Sequence, residues 1–158
     1  TVAGAGGGCA CAANALVKSL LEHLVEERKQ WVIVDLEAGV EHLGRGTVQA
    51  VDGLVVVSEP SLRGLTTAAQ VARLGRDLGL KRQALLLSRA AQGSVLPDVA
   101  SHPELEGLPP LTAILPRLAS LEARQLSSAS ALDLPERDLI EPVCQAVLAA
   151  LAAPIPGP

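Results

Sequence analysis

The stretch GLVVVSEPSLRGLTTAAQVARLGRDLGLKRQALLLS, residues Gly53–Ser88, decides the fold. It begins and ends with short runs of valine and leucine, at Gly53–Pro60 and Gln83–Ser88, which are typical of strands buried on both faces. Between them, apolar residues recur at helical spacing from Leu65 onward, and Ser61 is placed to cap the start of that helix. A strand, a helix and a strand in this order predict two parallel strands joined by a right-handed crossover.

The same alternation continues on both sides of this unit. Apolar runs at Val32–Leu36 and Leu111–Pro116 predict two more strands. Helical spacing predicts helices from Ala12 to about Lys29 and from about Pro135 to Ala152, while the four prolines of Ala91–Pro110 indicate a loop. We therefore predict an α/β fold, a mostly parallel sheet with flanking helices.

Length, composition and charge narrow the class of protein. The chain has 158 residues, of which 49% are hydrophobic and 19% charged, as expected of a packed globular domain. We predict a single domain over residues 1–153 and a disordered tail at 154–158. The net charge of −4 argues against nucleic acid and anionic membranes as partners, and no apolar run reaches the ~20 residues that span a bilayer. Because the chain begins at Thr1 without a methionine, we expect a truncated N-terminus.

Candidate ligand-binding residues follow the predicted strands, because the ligand crevice of a parallel sheet lies beyond the carboxyl ends of its strands. These residues are Asp35 to Gly39, Ser58 to Ser61, Ser88 and Arg89, and the segment from Pro116 onward. From the residues alone, Asp35 is better explained as a strand-end carboxylate that accepts hydrogen bonds from loop N–H groups.

The segment GAGGGCACAAN, Gly4–Asn14, carries two cysteines behind a run of glycines. It lacks the lysine and hydroxyl residue of a phosphate loop. Two thiolates one residue apart, at Cys9 and Cys11, can converge on a soft cation such as Zn²⁺ or Ni²⁺, but a tetrahedral site needs four ligands. A second copy of the chain would supply the other two. The alternative is a flexible segment with incidental cysteines. Cys144, alone in an apolar helix, is predicted to fill the core.

A family resemblance covers nearly the whole chain. The segments GGGCACAANALVKSLLEHL and VIVDLEAGVEHLGRGTVQAVDGLVVVSEPSLRGLTTA resemble the CooC-type ATPases. These are nickel-insertion accessory proteins for carbon monoxide dehydrogenase, within the MinD/ParA-like group of deviant phosphate-loop ATPases. The resemblance is specific because the segments CAC, DLEAGVEHLGRGT and EPS occur together in this order and at this spacing. The resemblance implies the C-terminal part of a MinD/ParA-like phosphate-loop NTPase fold.

The resemblance also implies roles for particular residues. Cys9 and Cys11 would bind Ni²⁺ or Zn²⁺ across an ATP-linked homodimer. Asp35 would act with Mg²⁺ and the attacking water, and Gly39 would lie near the γ-phosphate of ATP. Pro116, in ILPRLASLEA, would belong to the adenine-side loop. The implied function is metal binding and ATP hydrolysis in the cytoplasm, in the service of nickel insertion into apo carbon monoxide dehydrogenase.

Two departures from the family pattern qualify these expectations. The family's phosphate loop does not occur in this sequence, so we expect no ATP hydrolysis by this chain alone, and its standing as an enzyme stays open. Ser88 and Arg89 also occupy the positions of an Asn-Lys pair whose Asn reads adenine in the family. The alternatives are a non-catalytic metal-binding or dimerisation fragment, or another MinD/ParA-like ATPase.

Overall fold

The structure, a computed structural model, describes residues 31–35, 51–127, 130 and 133–153. The chain divides into two compact units, residues 1–51 and 52–158. The second unit carries every helix and strand found among the described residues. The single domain over residues 1–153 stays a prediction. The predicted tail at 154–158 and the predicted helix from Ala12 to Lys29 lie outside the described residues.

The described sheet has three parallel strands in chain order. These are β1 (Leu54–Ser58), β2 (Gln83–Ser88) and β3 (Leu111–Leu115). Leu54 of β1 lies opposite Gln83 of β2, and the pairing of β2 with β3 shifts register once, next to Leu85. The prediction of a mostly parallel sheet with flanking helices is confirmed.

The helices are α1 (Leu62–Asp77), α2 (Ala119–Leu126) and α3 (Arg137–Ala152), with a short 3₁₀ helix at Pro103–Leu105. Helix α1 begins where expected, because the hydroxyl of Ser61 accepts a hydrogen bond from the backbone N–H of Gly64 at 3.1 Å. That bond satisfies one of the backbone donors left unpaired at the start of a helix.

The core lies between α1 and one face of the sheet. Alternate residues of the strands point toward α1, among them Val56, Leu85 and Leu87, and small residues of α1 such as Ala68 and Ala72 pack against them. Helix α3 contacts β3 and β2 on the opposite face. The alternation therefore places a close-packed face under α1, while Val57 on the other face of β1 stays 58% exposed.

The loop between β2 and β3 is held against α1 by a buried side chain and two hydrogen bonds. Leu105 of the 3₁₀ helix is fully buried in the core. Arg73 and Arg76 of α1 donate hydrogen bonds to the backbone carbonyls of Glu106 (3.2 Å) and Gly107 (2.7 Å). Gly107 has φ +83°, a conformation that favours glycine. These contacts set the point from which the chain enters β3.

The prediction of a strand at Val32–Leu36 is wrong over its described residues. Residues 31–35 belong to no strand, and Ile33 is 84% exposed; Leu36 lies outside the described residues. An apolar, β-branched run forms a strand only where a neighbour completes its backbone hydrogen bonds, so side-chain pattern alone does not secure one.

Candidate functional site

A cavity of about 360 Å³ opens at the carboxyl ends of the three strands. This volume falls in the lower part of the roughly 300–1,000 Å³ usual for small-molecule sites. We call it the first cavity. Each strand contributes the residues at and just after its end, chiefly Ser58, Glu59, Ser88, Arg89, Pro116 and Leu118.

Helix α2 forms the remaining wall, with Leu121, Glu122 and Gln125 facing the first cavity. No side chain at its own N-cap, Leu118, bonds its first turn. Instead the carboxylate of Glu136 accepts hydrogen bonds from both the backbone N–H and the hydroxyl of Ser120. These two bonds, the hydroxyl's first, hold the pKa of Glu136 below its ordinary value. A residue just before α3 thus fixes the start of the helix that walls the cavity.

Helix α1 approaches the end of β1 closely. Ser58 is buried, with 7% of its surface exposed. Its hydroxyl donates a hydrogen bond to the backbone carbonyl of Glu59 at 3.0 Å. A Cβ on Gly64 would lie 2.8 Å from the Ser58 oxygen and 3.0 Å from the Glu59 carbonyl. Only glycine lets the first turn of α1 come this near the strand end.

Two ion pairs surround the strand ends. The Arg89 guanidinium lies 3.1 Å from a Glu59 oxygen, and that of Arg117 lies 2.9 Å from a Glu122 oxygen. All four side chains are at least one third exposed, so solvent screens both pairs. Arg89 also has φ +58°, a left-handed conformation uncommon outside glycine.

A second cavity of about 300 Å³ adjoins the first. Its lining consists of Glu59, Pro60, Ser61, Arg89 and Arg117. Glu59 and Arg89 line both cavities, so their ion pair forms part of a common wall.

The residues expected at the strand ends of the second unit do come together. Pro116 lies in the wall of the first cavity, half-buried, beside Ser88 and Arg89. Asp35, in the first unit, is exposed and belongs to no strand, so it does not lie at the strand end expected there. Gly39, like the two cysteines of the CAC segment, lies outside the described residues.

Helix α2 and its cavity-facing side chains were not predicted from the sequence. A signal was present, because Leu118, Leu121 and Gln125, in the segment after Pro116, are three and four residues apart. The helix has only eight residues and lacks a side-chain cap of its own. The carboxylate that bonds its first turn comes from Glu136, sixteen residues beyond Ser120 in the chain.

The prediction that Cys144 fills the core is also wrong, because its side chain is exposed. Helix α3 contacts β3 and β2. Its apolar pattern spreads around the helix, but Val143 and Val147 are half-buried on one side while Cys144 is exposed. Across residues 31–35, 51–127, 130 and 133–153, no three His, Cys, Asp or Glu side chains are grouped to hold a metal ion. Among the same residues, no helix has the length and hydropathy to cross a membrane.

The three-stranded parallel sheet with its flanking helices defines the class: an α/β domain whose two cavities lie at the carboxyl ends of the strands. No protein-family model matches the chain. It is 57% identical over 81 residues to the carbon monoxide dehydrogenase accessory protein CooC of Rhodospirillum rubrum, covering 51% of this chain and 31% of that protein. The resemblance to CooC-type ATPases is thus confirmed over half of the chain.

Two further relatives are uncharacterized ATP-binding proteins of Methanocaldococcus jannaschii. One is 40% identical over 89 residues, which is 56% of this chain and 35% of the relative. The other is 38% identical over 76 residues, which is 48% of this chain and 30% of the relative. The matches span about a third of the length of each curated relative.

Proposed function

We propose that this chain is part of an ATP-binding accessory protein that serves nickel insertion into carbon monoxide dehydrogenase. The observation that carries the proposal is the first cavity, placed at the strand ends of a chain that is 57% identical to CooC over 81 residues. Two further relatives, both uncharacterized ATP-binding proteins, support the nucleotide part of the proposal. The client enzyme is taken from the name of the first relative.

We place the adenine of ATP in the first cavity. Its lining combines apolar side chains, such as Leu118 and Leu121, with the polar groups of Ser88 and Gln125. A flat base packs against apolar walls, and a few polar groups at the rim orient it. Pro116 holds the position that the family resemblance assigns to the adenine-side loop, and it lies in this wall. The residues present fit an adenine.

The triphosphate end of the nucleotide is assigned by resemblance. By that resemblance, Asp35 would act with Mg²⁺ and the attacking water, and Gly39 would bind near the γ-phosphate. Bound Mg²⁺ supplies charge neutralisation of the phosphates in such enzymes. Hydrolysis of ATP would also require a lysine-bearing phosphate loop, since the family's reaction depends on one.

We place the metal site at the CAC segment of two chains. Cys9 and Cys11 of each copy contribute two thiolates, and a homodimer completes a four-sulfur site for Ni²⁺ as cargo or Zn²⁺. Thiolates persist in a reducing compartment, which agrees with a cytoplasmic protein.

The nucleotide assignment is tested with adenosine, which carries no charge and so reports on the base site alone. Isothermal titration of the full chain should show binding, weakened on the order of tenfold or more in Leu121→Glu, since a carboxylate in the apolar wall must be desolvated. Leu126→Glu makes the same change on the same helix at a residue that is 92% exposed, and should bind adenosine normally. Equal affinity in all three proteins contradicts the assignment.

The metal assignment is tested by titrating Zn²⁺ or Ni²⁺ and measuring mass by sedimentation equilibrium. We expect one metal per two chains and a rise in dimer fraction, both lost in Cys9→Ser and Cys11→Ser. Cys144→Ser is the matched control, because that thiol is exposed on α3. Metal binding without adenosine binding would favour the alternative of a non-catalytic metal-binding fragment, and one tightly held metal per monomer would refute the shared site.

A further inference from the structure

Helix α2 forms one wall of the first cavity, yet burial does not hold it there. None of its eight residues is buried. A helix this short is marginal in water on its own, because starting a helix costs more free energy than a few backbone hydrogen bonds return. Its cavity-facing residues Leu121 and Gln125 therefore depend on contacts that fix the two ends of the helix.

The first turn of α2 is held by the carboxylate of Glu136. One carboxylate oxygen accepts a hydrogen bond from the backbone N–H of Ser120 at 3.1 Å, and the other accepts one from the Ser120 hydroxyl. A negative charge at the start of a helix is favourable, and a charged acceptor forms stronger hydrogen bonds than a neutral one. Glu136 thus takes the part that a side chain at the N-cap plays in other helices.

The last turn of α2 is held by the same part of the chain. Arg124 donates hydrogen bonds to the backbone carbonyls of Ser130 and Asp133, both at 2.9 Å. Ser130, Asp133 and Glu136 all precede α3, which packs on β3 and β2. Both ends of α2 are therefore bound to the segment that leads into α3.

We propose that Glu136 is the positioning residue of the first cavity: by holding the first turn of α2, it sets the fraction of molecules in which the α2 wall is formed and so the affinity for a base. This inference deepens the proposed nucleotide binding and rests on it. Glu136 is not among the residues that line the first cavity, so it acts through α2 and not by touching the ligand. Apparent affinity falls in proportion to the fraction of molecules that are competent to bind.

Adenosine affinity of the full chain, measured by isothermal titration calorimetry, is the first test. We expect a severalfold loss in Glu136→Gln, whose amide is a weaker acceptor, and a loss on the order of tenfold in Glu136→Ala, which has no acceptor. Glu141→Gln is the matched control, because that carboxylate is exposed on α3 and pairs with Arg137; it should bind adenosine normally. An unchanged affinity in Glu136→Ala overturns the proposal.

A comparison with global stability separates positioning from a general weakening of the fold. Leu105→Val shortens a buried side chain that lines neither cavity, so it should lower the urea midpoint and leave adenosine affinity unchanged in the folded chain. Glu136→Ala should instead lose affinity out of proportion to its urea midpoint. If affinity follows the urea midpoint in the same way in both variants, Glu136 has a structural role only and the proposal is wrong.

Hydrogen exchange read by mass spectrometry tests the same wall without a ligand. In Glu136→Ala, the backbone amides of α2 should exchange on the order of tenfold faster, while those of α1 keep their rates. If adenosine binds the unchanged chain but α2 exchanges equally in both proteins, the base site stands and the role of Glu136 is wrong. If adenosine does not bind the unchanged chain, the base site is wrong, and exchange alone decides: faster exchange in α2 supports Glu136 as the positioning residue of this wall, and equal exchange overturns it.

Discussion

Shortening Leu105 to alanine tests how the loop between β2 and β3 is held. The side chain is fully buried in the core, so its three lost carbons forfeit about 2.4 kcal/mol of transfer free energy at about 0.8 kcal/mol per methylene. Ala68 and Ala72 of α1, which belong to the same core cluster, have side chains too short to fill the space. The cavity cost therefore raises the total loss to about 3–4 kcal/mol.

Urea unfolding followed by circular dichroism measures this change. With a slope of about 2 kcal/mol per molar urea, the midpoint should fall by about 1.5–2 M. Leu126→Ala is the matched control, because it removes the same atoms from a side chain that is 92% exposed, and it should change stability by less than about 0.5 kcal/mol. If the two variants unfold within about 0.5 kcal/mol of each other, Leu105 does not anchor the loop.

Three further changes probe the surroundings of the cavities. Gly64→Ala places a Cβ 2.8 Å from the Ser58 oxygen and should cost about 1–3 kcal/mol in thermal unfolding; an unchanged melting temperature contradicts the close approach of α1. Glu136→Gln should lower stability at pH 7, because an amide accepts hydrogen bonds less strongly than a carboxylate. The folded-state pKa of Glu136 is depressed, so its stabilising effect is complete above the ordinary value of 4.5 and disappears as pH falls through the lower folded value. Urea midpoints of both proteins should converge on acidification, and a constant gap would refute this. In a chain carrying Cys9→Ser and Cys11→Ser, Cys144 should react with a maleimide without denaturant, since it is exposed; a slow reaction limited by unfolding would show it buried.

The alternation of apolar runs and helical spacing was sufficient to predict most of the described fold. β1, β2, β3 and α1 occur where the pattern placed them, with Ser61 as the cap of α1. These predictions hold because the apolar residues of the elements pack against neighbours that are close to them in the chain. The pattern failed at Val32–Leu36, where an apolar run is not a strand over its described residues, because a strand requires hydrogen bonds from a neighbour that composition does not specify.

The positions just beyond the strands were also foreseen, because parallel strands bring their carboxyl ends to one edge. Sequence alone therefore indicated Ser58 to Ser61, Ser88, Arg89 and Pro116. The cavity wall itself depends on tertiary contacts. Helix α2 is short, and its first turn is hydrogen-bonded by Glu136, which lies sixteen residues beyond Ser120 in the sequence.

Charge and exposure at the site were decided by tertiary structure as well. Which arginine pairs with which glutamate depends on how neighbouring strand ends meet: Arg89 and Glu59 are thirty residues apart in the chain yet form one wall of two cavities. Cys144 has the sequence context of a core residue in an apolar helix, but its side chain is exposed, whereas Val143 and Val147 of the same helix are half-buried. Local sequence determines which residues favour a strand or helix, whereas the face that is buried and the partner that is met depend on packing between elements far apart in the chain.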